Sequence, residues 1–156
     1  MEPIGPVNTI AAAIQLAIAP VFLLTGIGAI LSVLTIRLGR VVDRLRLVQK
    51  RLAKMQSEDL RDLLHLEATA LWRRIKTINW AMRLSVASAL LICFVIVILF
   101  IGAYVAFPIG RLLASLFIAA MLLLILALLL FLLEVSISTK RMLQGAAHIM
   151  ADDDAR

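Results

Sequence analysis

Three apolar tracts, at about residues 10–36, 84–107 and 112–133, constrain this chain more than any motif in it. A helix needs about 20 apolar residues to cross roughly 30 Å of hydrocarbon, and each tract is near or above that length. Composition points the same way. Of 156 residues, 63% are hydrophobic, well above the roughly 45–50% of soluble proteins, and a soluble core this small could not hide so much apolar surface. The expected fold is an all-α integral membrane protein with three transmembrane helices. The first tract is expected to stay in the mature protein: Glu2 and no Lys or Arg precede it, and it is longer than the roughly 7–15 residues of a signal core. The single cysteine, Cys93, falls inside the second tract, which excludes an intramolecular disulfide.

The net charge of +6 suggests a polyanionic partner until the charges are placed along the chain. Twelve of the sixteen Lys and Arg residues lie between residues 37 and 83, and only Arg111 lies between the second and third tracts. By the positive-inside rule this puts the N-terminus outside, residues 37–83 inside, the 108–111 link outside and the C-terminus inside. The basic excess is therefore a topology signal, and no nucleic-acid partner is expected. Four segments follow: 1–36, a short lead and transmembrane helix; 37–83, a basic cytoplasmic hairpin; 84–133, two transmembrane helices and their outer turn; and 134–156, a cytoplasmic helix with an acidic tail.

The first tract passes into the basic segment with nothing to stop a helix except Gly39, which costs about 1 kcal/mol relative to Ala. One helix is expected to leave the membrane and continue. Asn8 or Thr9 is a suitable N-cap for it, and Pro20 should kink it. Below the membrane, Leu38, Val41, Leu45, Val48, Leu52 and Met55 recur at 3-4 spacing, and Leu64, Ala68, Leu71, Ile75, Ile78 and Met82 do so after a break at residues 56–59. Two such stripes joined by a tight turn predict an antiparallel helical hairpin, with Ser57 capping the second arm. Pro108 and Gly110 predict the outer turn, and Trp80 fits an interfacial position. The Leu-rich third tract suits a lipid-facing place in the bundle. Val135, Thr139, Met142, Ala146 and Ile149 predict a further helical stretch packed on the hairpin, ending in a solvated Asp152-Asp153-Asp154.

Within the first tract two stripes run side by side. Leu24, Ile27, Leu31, Leu34 and Leu38 are greasy, while Thr25, Gly28, Ser32, Thr35 and Gly39 are small or weakly polar. In lipid, small and hydroxyl residues favour close approach of helix backbones, so this face is read as a packing seam or as the lining of a narrow wet path in a homo-oligomer. At its inner end Arg37, Arg40, Asp43 and Arg44 form a second candidate cluster. It is read either as an anchor whose cations reach lipid phosphates or as a charged network at the mouth of an oligomer. Asp43 lies within reach of Arg40 and Arg46, and Glu134 is a candidate partner for Arg37, Arg83 or Lys140.

The stretches Leu16-Ala17-Ile18-Ala19-Pro20-Val21-Phe22-Leu23-Leu24 and Arg37-Leu38-Gly39-Arg40-Val41-Val42-Asp43-Arg44-Leu45-Arg46 resemble the uncharacterised bacterial membrane family called domain of unknown function 2721. The resemblance covers roughly residues 10–140. It implies a bacterial inner-membrane protein of three helices and brings no activity, ligand or catalytic residue with it.

Catalysis is not expected, and neither is a cofactor or a metal. His65 and His148 stand alone, there is no phosphate-binding loop or nucleophile elbow, and polar groups inside the apolar tracts are scarce. Two function classes remain. One is a homo-oligomeric channel with the first helix around its axis; the other is a non-conducting scaffold that presents the hairpin to a protein partner or to anionic lipid.

Overall fold

The computed structural model describes the backbone of residues 6–53, 58–104 and 110–153, and the side chains of residues 10–53, 61–102 and 110–136. The described backbone forms three helices, α1 (Pro6–Leu52), α2 (Glu58–Tyr104) and α3 (Gly110–Asp153), with no strand among them. All three are long and apolar enough to cross a bilayer, which makes this a multi-pass membrane protein. Helices suit such segments because each backbone N–H finds its carbonyl within the same segment, where no water can replace it. At 47 residues each, α1 and α2 are about 70 Å long at 1.5 Å per residue. Both are far longer than a membrane crossing requires.

The junction after Ile36 is helical without a break, as its sequence predicts. The start differs from expectation: α1 begins at Pro6, so Asn8 and Thr9 lie within its first turn rather than capping it. Proline suits that position because its fixed φ is helical and its missing N–H would have had no partner there. Pro20 is buried inside α1, which stays helical through it. Ser57 and Pro108, expected at the two turns, lie outside the described residues. After the third tract, α3 runs on unbroken through Glu134, so the expected terminal stretch is the continuation of one 44-residue helix. The packing of its side chains beyond residue 136, and the acidic tail, also lie outside the described residues.

The helices pack antiparallel in chain order. Arg44 meets Glu67 while Ile27 clusters with Ile92, which sets α1 against α2; Ser88 meets Ala120 while Arg74 meets Glu134, which sets α2 against α3. The arms carry one core, in which Val41, Leu45 and Val48 of α1 pack with Leu71, Ile75 and Ile78 of α2. These are positions of the two predicted stripes. Each such side chain withdrawn from water contributes on the order of 1.5–3 kcal/mol, as an upper estimate. Higher up, Ile27, Ile92, Ala120 and Leu124 bring all three helices together. There the drive is packing alone, since lipid tails are as apolar as the side chains. The outer side of α3, with Ile118, Leu122, Ile125 and Leu129, is exposed, which fits lipid contact.

Candidate functional site

Glu134 follows directly on the third apolar tract, and Arg37 directly on the first, so the two arrive at the same end of the bundle. Glu134 is 3% exposed and bound from two sides. Arg37 Nη1 donates to its Oε2 at 3.2 Å, and Arg74 Nη2 donates to its Oε1 at 2.7 Å. One carboxylate thus ties α1, α2 and α3 at a single point. A buried carboxylate left alone would be strongly unfavourable, and two guanidinium groups supply both the opposite charge and the donors its oxygens need. Phe131 lies one turn before Glu134, and its ring centroid is 5.2 Å from Arg37 Cζ. The guanidinium therefore has the carboxylate at one side and the negative face of the ring near it.

Sequence spacing suggested Arg37, Arg83 or Lys140 for Glu134. Arg37 is found there. Arg83 instead lies 5.7 Å over the Trp80 ring, and the Lys140 side chain is outside the described residues. Arg74 was not expected, yet a signal for it exists: it lies three residues after Leu71 and four before Ile78, on the apolar stripe of its arm. A cation on that face needs an anion nearby.

The other members of the basic cluster go elsewhere. Arg44 donates from Nε and Nη2 to Oε1 of Glu67 at 3.1 and 2.9 Å, joining the two arms at their surface. Asp43 meets Arg46 at 3.8 Å, with both side chains largely in solvent. Arg40 is exposed and makes no ion pair among the described residues. Between α1 and α2, a cavity of about 320 Å³ is lined by Arg37, Arg40, Val41, Arg44, Leu71, Arg74 and Glu134. On the other side of Arg74, a hollow of about 340 Å³ is lined by Leu66, Thr69, Ala70, Arg73, Arg74, Thr77 and Glu134. Glu134 is a shared wall.

The two stripes of α1 face opposite ways. Ile27 and Leu34 are each only 1% exposed, and the greasy stripe is turned into the bundle. Thr25, Gly28, Ser32, Thr35 and Gly39 are all exposed on its outside. Thr25 and Thr35 donate their hydroxyls to the carbonyls of Val21 and Leu31 in the preceding turn, at 3.3 and 2.8 Å. A Cβ added at Gly26, Gly28 or Gly39 would meet nothing within 4 Å.

A second polar feature, unsuspected from the sequence, lies in the membrane part of α2. Ser85 and Ser88 are fully buried; Ser85 Oγ donates to the Ala81 carbonyl at 2.9 Å, and Ser88 Oγ donates across to the Ala120 carbonyl of α3 at 2.7 Å. The signal was the run Ala81, Ser85, Ser88, Ile92, Val95 at 3-4 spacing, a second small stripe that continues the buried face of the arm. Among the described residues, no group of three or more His, Cys, Asp or Glu stands together in a way that could hold a metal ion.

The family model described as "Protein of unknown function (DUF2721)" matches residues 17–143, and the chain belongs to that family. No curated protein and no solved structure matches it.

Proposed function

We propose that this family member is a self-associating, non-enzymatic membrane protein in which copies of α1 surround a common axis, with their Thr25–Gly39 faces turned toward one another and a narrow ion path between them. The observation that carries this is the open space around Gly26, Gly28 and Gly39. Each glycine inside a helix costs about 1 kcal/mol relative to Ala, and none of the described residues comes near enough to need them small. A neighbouring helix backbone would. The hydroxyls of Thr25 and Thr35 donate inward and so present lone pairs outward, as groups able to replace part of an ion's hydration shell do. Below them the same face ends in the Asp43–Arg46 pair, suited to a ring of alternating charge between subunits. The distribution of Lys and Arg supports a topology with the N-terminus outside and the arms and C-terminus in the cytoplasm, in the bacterial inner membrane that the family resemblance implies.

The second reading, a non-conducting scaffold, draws on the arms. Leu47, Leu63 and Leu66 are 59%, 63% and 70% exposed there, and large apolar side chains exposed on both arms suit a protein partner.

The first test is mass in mild detergent. The wild-type chain is expected to run as an oligomer and Gly28→Leu as a smaller species with unchanged helix content; a strictly monomeric wild type overturns the proposal. The second separates the readings. In a Cys93→Ser background, cysteines at Gly28, Ser32 and Thr35 are expected to react with a water-soluble thiol reagent, and purified protein in a planar bilayer to pass current. Three unreactive positions together with a silent bilayer would favour the scaffold.

A further inference from the structure

The cavity beneath the Glu134 clamp is lined by more positive charge than the clamp uses. Four guanidinium groups, from Arg37, Arg40, Arg44 and Arg74, face one carboxylate, Glu134. Its two oxygens occupy one donor each from Arg37 and Arg74, and Glu67 answers Arg44 at the rim. Arg40 is left without an ion pair among the described residues. A planar guanidinium offers several donors in a fixed fork that matches the oxygens of a phosphate. Val41 and Leu71 add an apolar wall, and the lining begins at Arg37, directly after the first apolar tract ends at Ile36. That is the depth at which a bilayer places its headgroup phosphates.

We propose that this cavity is a binding site for the phosphate of an anionic lipid headgroup, with Arg40 as its main unshared cation and Arg44 directing a further donor at the phosphate oxygens. The site sits within one chain and does not depend on self-association. A lining of four arginines and one carboxylate favours the more highly charged phosphomonoester over a phosphodiester, and a zwitterionic headgroup brings its own cation into a pocket that is already positive. The expected order of binding is phosphatidic acid, then phosphatidylglycerol, then phosphatidylcholine.

The test uses the full chain in detergent micelles, with lipid adducts counted by native mass spectrometry and thermal midpoints measured alongside. Phosphatidic acid is expected to bind and to raise the midpoint, while inorganic phosphate at the same concentration does neither. Arg40→Gln is expected to weaken phosphatidic acid binding about tenfold, the size of one charge-assisted hydrogen bond, with helix content unchanged, because Arg40 holds no ion pair among the described residues that its loss would break. Arg61→Gln, an exposed cation of the second arm outside the cavity, serves as control and should leave binding within about twofold. Equal losses in both variants would mean diffuse attraction to the whole basic surface and overturn the site. Equal binding of all three lipids would overturn it as well, and an equal effect of inorganic phosphate would overturn its assignment to lipid.

Discussion

The α2–α3 interface is fastened at two places by opposite means. At Ser88 a short neutral side chain donates to the Ala120 carbonyl at 2.7 Å, which holds the two helices close. At Arg74 the tie is made by two long charged side chains, again at 2.7 Å, and a third helix joins through Arg37. In hydrocarbon, close contact between helices rests on small residues and interhelical hydrogen bonds, whose measured strength is modest. At the polar end, charge can be used because the buried carboxylate is answered on both oxygens and the cations keep some access to water: the Arg37 and Arg74 side chains are 36% and 24% exposed. The first fastening sets how near the helices lie; the second sets which helices meet.

The comparison is most sharply broken at Glu134. Glu134→Ala leaves two partly buried guanidinium groups facing each other and is expected to destabilise the fold by about 3–5 kcal/mol, read from the midpoint of denaturation in mixed micelles. Replacing all three members, as Arg37→Met, Arg74→Met and Glu134→Leu together, should recover most of that loss, since an apolar triad of similar volume is often neutral. Failure to recover would show that the clamp does more than balance its own charges. Ser88→Leu pushes a branched side chain against the α3 backbone and is expected to cost about 1–3 kcal/mol. Ser88→Ala, which removes only the hydroxyl, should cost about 0.6 kcal/mol. The smallest effect is expected at the surface, where a double-mutant cycle on Arg44 and Glu67 should give a coupling below about 1 kcal/mol that shrinks with added salt.

What was legible in the sequence was whatever periodicity expresses. The apolar lengths marked the three spans, and the 3-4 spacing of Val41, Leu45 and Val48 and of Leu71, Ile75 and Ile78 marked the faces that pack in the arms. The greasy and small faces of α1 could be told apart, but not which of them the chain would bury for itself. That choice depends on what α2 offers opposite, and Ile92 packs with Ile27. Glu134 stood out as a lone carboxylate at the end of a Leu-rich tract, and Arg37 was correctly among its candidate partners. Arg74 was hidden because Arg73 precedes it in an arm full of cations, and only its phase on the helix separates the two. Ser85 and Ser88 were hidden because a serine in an apolar tract reads as interruption until its spacing is compared with the arm below. The start of α1 at Pro6 was missed for a local reason, since two good capping residues stood just beyond it.

The continuity of α1 and α2 through the polar junction has a mechanical consequence. Two stiff rods, packed together along their arms and tied at Glu134, act as one paired lever rather than as two separate ones. The far ends are loosely filled: Ile14, Ala17, Ile18, Val21 and Phe22 of α1 and Ile96 and Phe100 of α2 border an apolar hollow of about 320 Å³. A load that tilts the paired arms is carried past Glu134 to that slack end, because both helices run through the junction unbroken.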